Sequence, residues 1–132
     1  MILFMWLVGC GQYPVPEGPE PDFEVGEEYI SAERVAQAMK EGAAFYFLDA
    51  RPPPDYELEH ICGAISTPFY DIEEEYPNLP EDVWYIAYCS CPHSESGIVA
   101  EYLREQGREK VAVLDEGFLY WAEQGYPTES GP

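Results

Sequence analysis

The sequence predicts an α/β domain built on one parallel sheet with helices on both faces. Three observations carry this. Short apolar, aromatic-rich runs recur at residues 45–49, 83–88 and 111–114, each too short for a helix and bounded by turn-formers. Between them, apolar residues fall at helical spacing, as in Val35, Ala38, Met39 and again in Ile98, Val99, Tyr102, Leu103. Strands that alternate with helices pair in parallel, because each crossover returns the chain to the same end of the sheet. At 132 residues the chain suffices for one domain with a single core, and no internal repeat is visible.

Taken in order, the chain divides at residues 1–10, 11–28 and 29–132. Residues 1–10 form an apolar run too short to span a bilayer. Leu7-Val8-Gly9-Cys10 resembles the end of a bacterial lipoprotein signal, the lipobox, which implies lipidation of Cys10; no Lys or Arg precedes the run. A lipidated Cys10 would anchor the protein to the membrane. The expected location is then the cell envelope on its periplasmic side, or the cytoplasm if the lipobox is accidental. Residues 11–28 carry Pro14, Pro16, Pro19 and Pro21 among glycines and acids, and read as an extended acidic tether.

From Tyr29 the folded domain is expected. Tyr29-Ile30 is a brief strand, Ser31 an N-cap, and Gly42 the stop of the first helix. Residues 45–49 make the next strand, three prolines turn the chain, and residues 55–60 form one helical turn. Residues 61–66 read as a third strand. Asp71 is placed as the cap of a short acidic helix reaching about Tyr76, ended by Pro77 and Pro80. The central strand follows at residues 83–88, then a loop and a helix closed by Gly107. Residues 111–114 are the last strand, and residues 118–124 a final helix closed by Gly125.

The formal net charge is −20, from 26 acidic and 6 basic residues, which excludes electrostatic binding of nucleic acid or of an anionic membrane surface. The four cysteines, Cys10, Cys62, Cys89 and Cys91, are too few and too unevenly spaced for a disulfide framework. Cys62 reads as a small buried apolar residue.

The chemistry centres on the loop after the central strand. Cys89 ends that strand just below the start of a helix, where inward-facing loop amides and the helix N-terminus both favour an anion. A free thiol, with a pKa of about 8.5, is only a few per cent ionised at neutral pH, so such a setting makes a reactive thiolate. Ser90, Cys91, Pro92, His93, Ser94, Glu95, Ser96 and Gly97 form the expected anion cup. Cys91 is either a resolving thiol or a bystander. Cys89, Cys91 and His93 alternate with soft ligand types, so a thiol-redox or metal-binding module is the alternative reading; the cup geometry argues against it, and no metal or other cofactor is expected.

Asp49-Ala-Arg51, Tyr56, His60-Ile61 and Gly63-Ala64-Ile65 together resemble the first signature of the rhodanese family. Tyr88-Cys89 resembles the strand end that delivers its catalytic cysteine, and Val113-Leu114-Asp115-Glu116-Gly117 with Trp121 and Gly125-Tyr126-Pro127 its closing segment. The resemblance covers residues 29–127. It implies a rhodanese-like open parallel sheet of about five strands, a site above the strand ends, and transfer of sulfane sulfur through a cysteine persulfide. A small sulfur donor and a thiol or cyanide-like acceptor would be the partners of a monomer. Counted from Cys89 the loop is one residue longer than the family's usual six; counted from Cys91 the helix arrives one residue early. Residues 90–97 contain no Arg or Lys, so thiosulfate, a dianion, is expected to bind poorly. Phosphatase relatives need an arginine where Glu95 stands. Asp49, Arg51 and His60 read as structural residues near the site.

Overall fold

Alternation along the strands sets the two faces of the sheet. In a computed structural model, which describes residues 10–90 and 93–132, β2 (Phe45–Asp49) and β5 (Trp84–Tyr88) lie side by side in parallel, Phe45 opposite Trp84 and Asp49 opposite Tyr88. Phe45, Phe47, Trp84, Ile86 and Tyr88 point to one face. Leu48, Tyr85 and Ala87 point to the other. Both faces are buried, as parallel strands require. β1 (Tyr29–Ile30), β4 (Ile65–Ser66) and β6 (Val111–Leu114) complete a five-stranded parallel sheet in the order β1-β6-β5-β2-β4.

Helices α1 (Ala32–Lys40) and α5 (Gly117–Glu123) cover the first face, where Val35, Met39, Phe118 and Trp121 join the core. The longer α4 (Ser94–Glu105) and the single turn α3 (Ile72–Glu75) cover the second through Val99, Leu103 and Ile72. Ser31 caps α1, its hydroxyl accepting from the Arg34 N–H at 3.2 Å. Gly42, Gly107 and Gly125 follow the helices with φ of +76°, +94° and +78°, as left-handed stops. Asp71 makes no capping bond to α3, which is one turn between two tight 3₁₀ turns.

Two expectations about the elements are corrected first. The strand read over residues 61–66 is broken: β3 (His60–Ile61) leaves the main sheet and pairs antiparallel with β7 (Thr128–Glu129), while β4 alone joins β2. Between them the chain turns at Gly63, whose φ is +77° and whose Cβ, were one present, would lie 2.9 Å from Pro14 Cδ. The one helical turn lies at α2 (Pro53–Leu58), opening on Pro53 at its first position.

The stretch 11–28 is not a free tether. Phe23 is buried edge-on against Phe45 and Trp84, at 5.7 and 5.5 Å between ring centroids. Ala44 N–H donates to the Pro19 carbonyl at 2.8 Å, and Lys110 pairs with Glu20 at 2.7 Å. Its prolines fix the path of a strap whose apolar residue is collected by the core.

Cys10 and Cys62 form a disulfide, with Cα atoms 5.1 Å apart and a sequence separation of 52. A sulfur bonded to another sulfur cannot also carry a lipid thioether, so lipidation of Cys10 does not fit this structure. Cys62 is buried as expected, but as half of a covalent staple. Residues 1–9, including the rest of the lipobox, lie outside the described residues.

Candidate active site

β5 is the middle strand of the sheet, and its side chains are fully buried, so its end is the best-fixed point at the carboxyl edge. Open parallel sheets present their sites at this edge. The chain leaves β5 at Cys89, whose carbonyl accepts from the Phe118 N–H at 2.8 Å at the start of α5. Four residues further on, His93 opens α4.

Cys89 is 2 % exposed, yet it belongs to neither apolar cluster. Its sulfur faces the first turn of α4. The Ser96 N–H donates to Sγ at 3.4 Å, and the thiol donates to Ser96 Oγ at 3.3 Å. Ser96 is itself fully buried. When the thiol loses its proton, the Ser96 hydroxyl can rotate and donate instead, so one residue then directs two hydrogens at the sulfur. The α4 N-terminus adds partial positive charge.

Of the expected cup, Ser90 is half-buried and Ser94, Glu95, Ser96 and Gly97 fall within the first turns of α4. Cys91 and Pro92 lie outside the described residues, and with them the role of Cys91 as a resolving thiol. His93 does not face a metal partner among the described residues. Its Nε2 stands 3.0 Å from both the carbonyl and Oδ1 of Asp115, and its ring stacks on Tyr29 at 4.1 Å. Both Asp115 atoms are acceptors, so Nε2 carries the hydrogen.

At the adjoining ends of β2 and β5 lies a buried network. Arg51 donates through Nε to Asp49 Oδ1 at 2.9 Å, and through Nη2 to Asp49 Oδ2 and to the Glu59 carbonyl, each at 2.7 Å. Its guanidinium lies 4.2 Å from the centre of the Phe118 ring. Tyr88 OH donates to Asp49 Oδ2 at 2.8 Å and accepts from the Ile61 N–H at 3.1 Å. Burial works against the Arg51 charge, but the hydrogen bonds and charge of Asp49 outweigh it and raise its pKa. Burial, with the Asp49 charge beside it, pushes the Tyr88 phenol well above its ordinary value. His60, 2 % exposed, stacks on Tyr56 at 3.7 Å; its Nδ1 meets the Tyr56 carbonyl at 2.7 Å, and its Nε2 meets Glu129 at 3.2 Å. Asp49, Arg51 and His60 thus form a buried floor at the strand ends, their polar atoms engaged with one another, with Glu129 and with the backbone.

Tyr88 and Tyr29 are not singled out as site residues by sequence, whereas Asp115 reads there as a strand end near the site that anchors a loop. Tyr88 gave only the signal of an aromatic in a buried strand, which points equally to the core. Asp115 meets His93 only through the crossover from β6, which no local spacing reveals.

Among the described residues, this α/β domain holds a free thiol, Cys89, above its middle strand and under a helix N-terminus, which defines a class of thiol sites. The chain belongs to the rhodanese-like domain family, whose model matches residues 31–124. It is 32% identical over 95 residues to an HTH-type transcriptional regulator of Mycobacterium tuberculosis, covering 70% of this chain and 41% of the relative. It is 30% identical over 95 residues to the thiosulfate sulfurtransferase GlpE of Vibrio cholerae, covering 72% and 89%. The solution structure of a rhodanese-like domain from Anabaena superposes with a TM-score of 0.71 at 28% identity, covering 79% of this chain and 80% of that one. Of some curated relatives the chain spans only about half the length, or less.

Proposed function

We propose that this domain is a sulfurtransferase module that carries sulfane sulfur as a persulfide on Cys89. The observation that carries the reading is the place of the sulfur: at the end of the middle strand, in contact with the N–H and hydroxyl of Ser96, and outside both apolar clusters. The similarity to proteins named as sulfurtransferases supports it.

The Cys89 thiolate attacks the outer sulfur of a donor. A new S–S bond forms at Cys89, the donor's own bond to that sulfur breaks, and the electron pair leaves with the donor as a thiolate or, from thiosulfate, as sulfite. An acceptor thiolate or cyanide then attacks the outer sulfur, and the Cys89 thiolate departs with the electron pair. The Ser96 N–H and O–H hold negative charge on sulfur at both stages. Arg51 is held by Asp49 and Glu59, and residues 90–97 carry no Lys or Arg, so a persulfide or polysulfide donor suits the site better than thiosulfate.

We place the domain outside the cytoplasm, in the cell envelope. The Cys10–Cys62 disulfide supports this, because disulfides persist in oxidising compartments. Intact mass after incubation with polysulfide tests the chemistry. One added sulfur atom, absent from Cys89→Ser, is the expected result. A sulfur gain that survives Cys89→Ser, or a retained metal atom in its place, overturns the reading in favour of a redox or metal-binding module.

A further inference from the structure

The outer side of α4 carries a groove that the chemistry above leaves unused. It has a volume of about 330 Å³ and a floor of Phe69, Tyr70, Ile98 and Tyr102. Tyr70 and Ile98 are 57% and 48% exposed, although both are large and apolar. The edges are acidic: Glu73 from α3, and Glu101 and Glu105 from α4, line it with no Lys or Arg among them. Ile98, Glu101, Tyr102 and Glu105 follow at i, i+3, i+4 and i+7, which is one stripe along the helix.

The groove and the active site share one helix. Ser96, which touches the Cys89 sulfur, is buried on the inner side of α4, and Ile98, two residues on, faces outward. Residues 69–70 hang from the carboxyl end of β2, where the Phe69 N–H donates to the Ala50 carbonyl at 3.0 Å. A chain lying in the groove would therefore rest on the helix whose first turn holds the Cys89 sulfur.

Charge decides the occupant. A second copy of this chain, an anionic membrane and a nucleic acid are all repelled by a net charge of −20. What complements an apolar floor between three carboxylates is a helix with aliphatic residues on one face and Lys or Arg beside them. We propose that this groove docks a basic amphipathic helix of the protein that exchanges sulfur with Cys89. The identity of the exchange rests on the sulfurtransferase reading; the docking does not.

The test uses Cys89→Ser protein, which folds around an inert site, and a synthetic peptide with leucine and lysine at helical spacing. Backbone amide shifts on titration are expected to cluster at residues 69–73 and 98–105. Ile98→Glu and the pair Glu101→Lys with Glu105→Lys are each expected to weaken binding about tenfold or more, with the melting temperature held. Both sites are exposed, so folding is not at stake. Equal binding of a scrambled peptide of the same composition overturns the proposal, since bulk charge would then suffice. Shifts spread over the whole acidic surface do the same. A dimer of the chain that Ile98→Glu dissolves also overturns it, because the groove would then belong to a second copy. Sulfur uptake by the wild-type chain is measured separately: its loss with docking intact sinks only the sulfurtransferase reading.

Discussion

The ends of β2 and β5 lie side by side at the same edge of the sheet, yet they are built on opposite terms. At the end of β2, Asp49 and Arg51, joined by Tyr88 from β5, form a saturated network in which a guanidinium, a carboxylate and a phenol satisfy one another out of water. At the end of β5, Cys89 is buried as deeply and is met by the backbone N–H and the hydroxyl of Ser96. The first arrangement fixes geometry and leaves no charge for a ligand. The second leaves a sulfur whose charge can change, because its partners can turn to follow it. The fold thus separates the cation that holds the site together from the nucleophile, and residues 90–97 add no Lys or Arg.

The comparison breaks most sharply through its nucleophile. Cys89→Ser is expected to abolish sulfur loading, read by intact mass, while changing stability by less than about 1 kcal/mol, because the polar pocket accepts a hydroxyl. Arg51→Ala is the opposite case. It leaves the Asp49 carboxylate buried without its cation, and urea unfolding is expected to show a loss of about 3–5 kcal/mol. If Arg51→Ala removes loading at unchanged stability, the division between floor and nucleophile is wrong.

The disulfide lies outside both regions and measures how far the strap belongs to the domain. A closed loop of this span constrains the unfolded chain by about 4 kcal/mol in the chain-entropy account. Reduction, Cys10→Ser and Cys62→Ser are each expected to cost about that much and not to add to one another. A reducing agent without effect on unfolding would mean that the strap is held by Phe23 and its neighbours alone.

The next effect appears at high pH. Tyr85 is raised to about 12, by burial first, against an ordinary 10.0, and Tyr88 moves in the same direction. The fold therefore keeps protons that the unfolded chain has lost above pH 10. Stability is complete below about pH 10 and falls as pH rises through about 12, by about 2–3 kcal/mol for Tyr85 alone. Tyr85→Phe should flatten part of that alkaline fall in unfolding free energy measured against pH.

These contrasts also explain what could be read from the sequence. The parallel sheet was legible because each strand announces itself locally: β2 and β5 are aromatic runs, and Ser31, Gly42 and Gly107 mark helix ends by their own chemistry. Cys89 was legible because strand, thiol and helix follow one another in the chain. The break between β3 and β4 was not, since Pro14 against Gly63 and the β7 partner come from distant segments. The same holds for Cys10 with Cys62, where a lipobox-like run concealed a partner 52 residues away. It holds again for Asp115 with His93, whose contact exists only once β6 has crossed to its place beside β5.

Ser96→Ala is the smallest of these changes and the one that sharpens the comparison most. It leaves the backbone N–H in place and removes only the hydroxyl that can reverse its hydrogen bond. A charge-assisted bond to an ion contributes about 1.5–3 kcal/mol, whereas the neutral thiol gains about 1 kcal/mol or less from its bond to Oγ. The difference falls on the charged form alone. Sulfur uptake from polysulfide should therefore slow about tenfold, because about 1.4 kcal/mol of anion stabilisation corresponds to that factor. Unfolding should change by no more than about 1 kcal/mol, since alanine fits the same turn of α4. Equal rates in the two proteins would show that the backbone alone holds the anion, and that Ser96 is a packing residue like those of the floor.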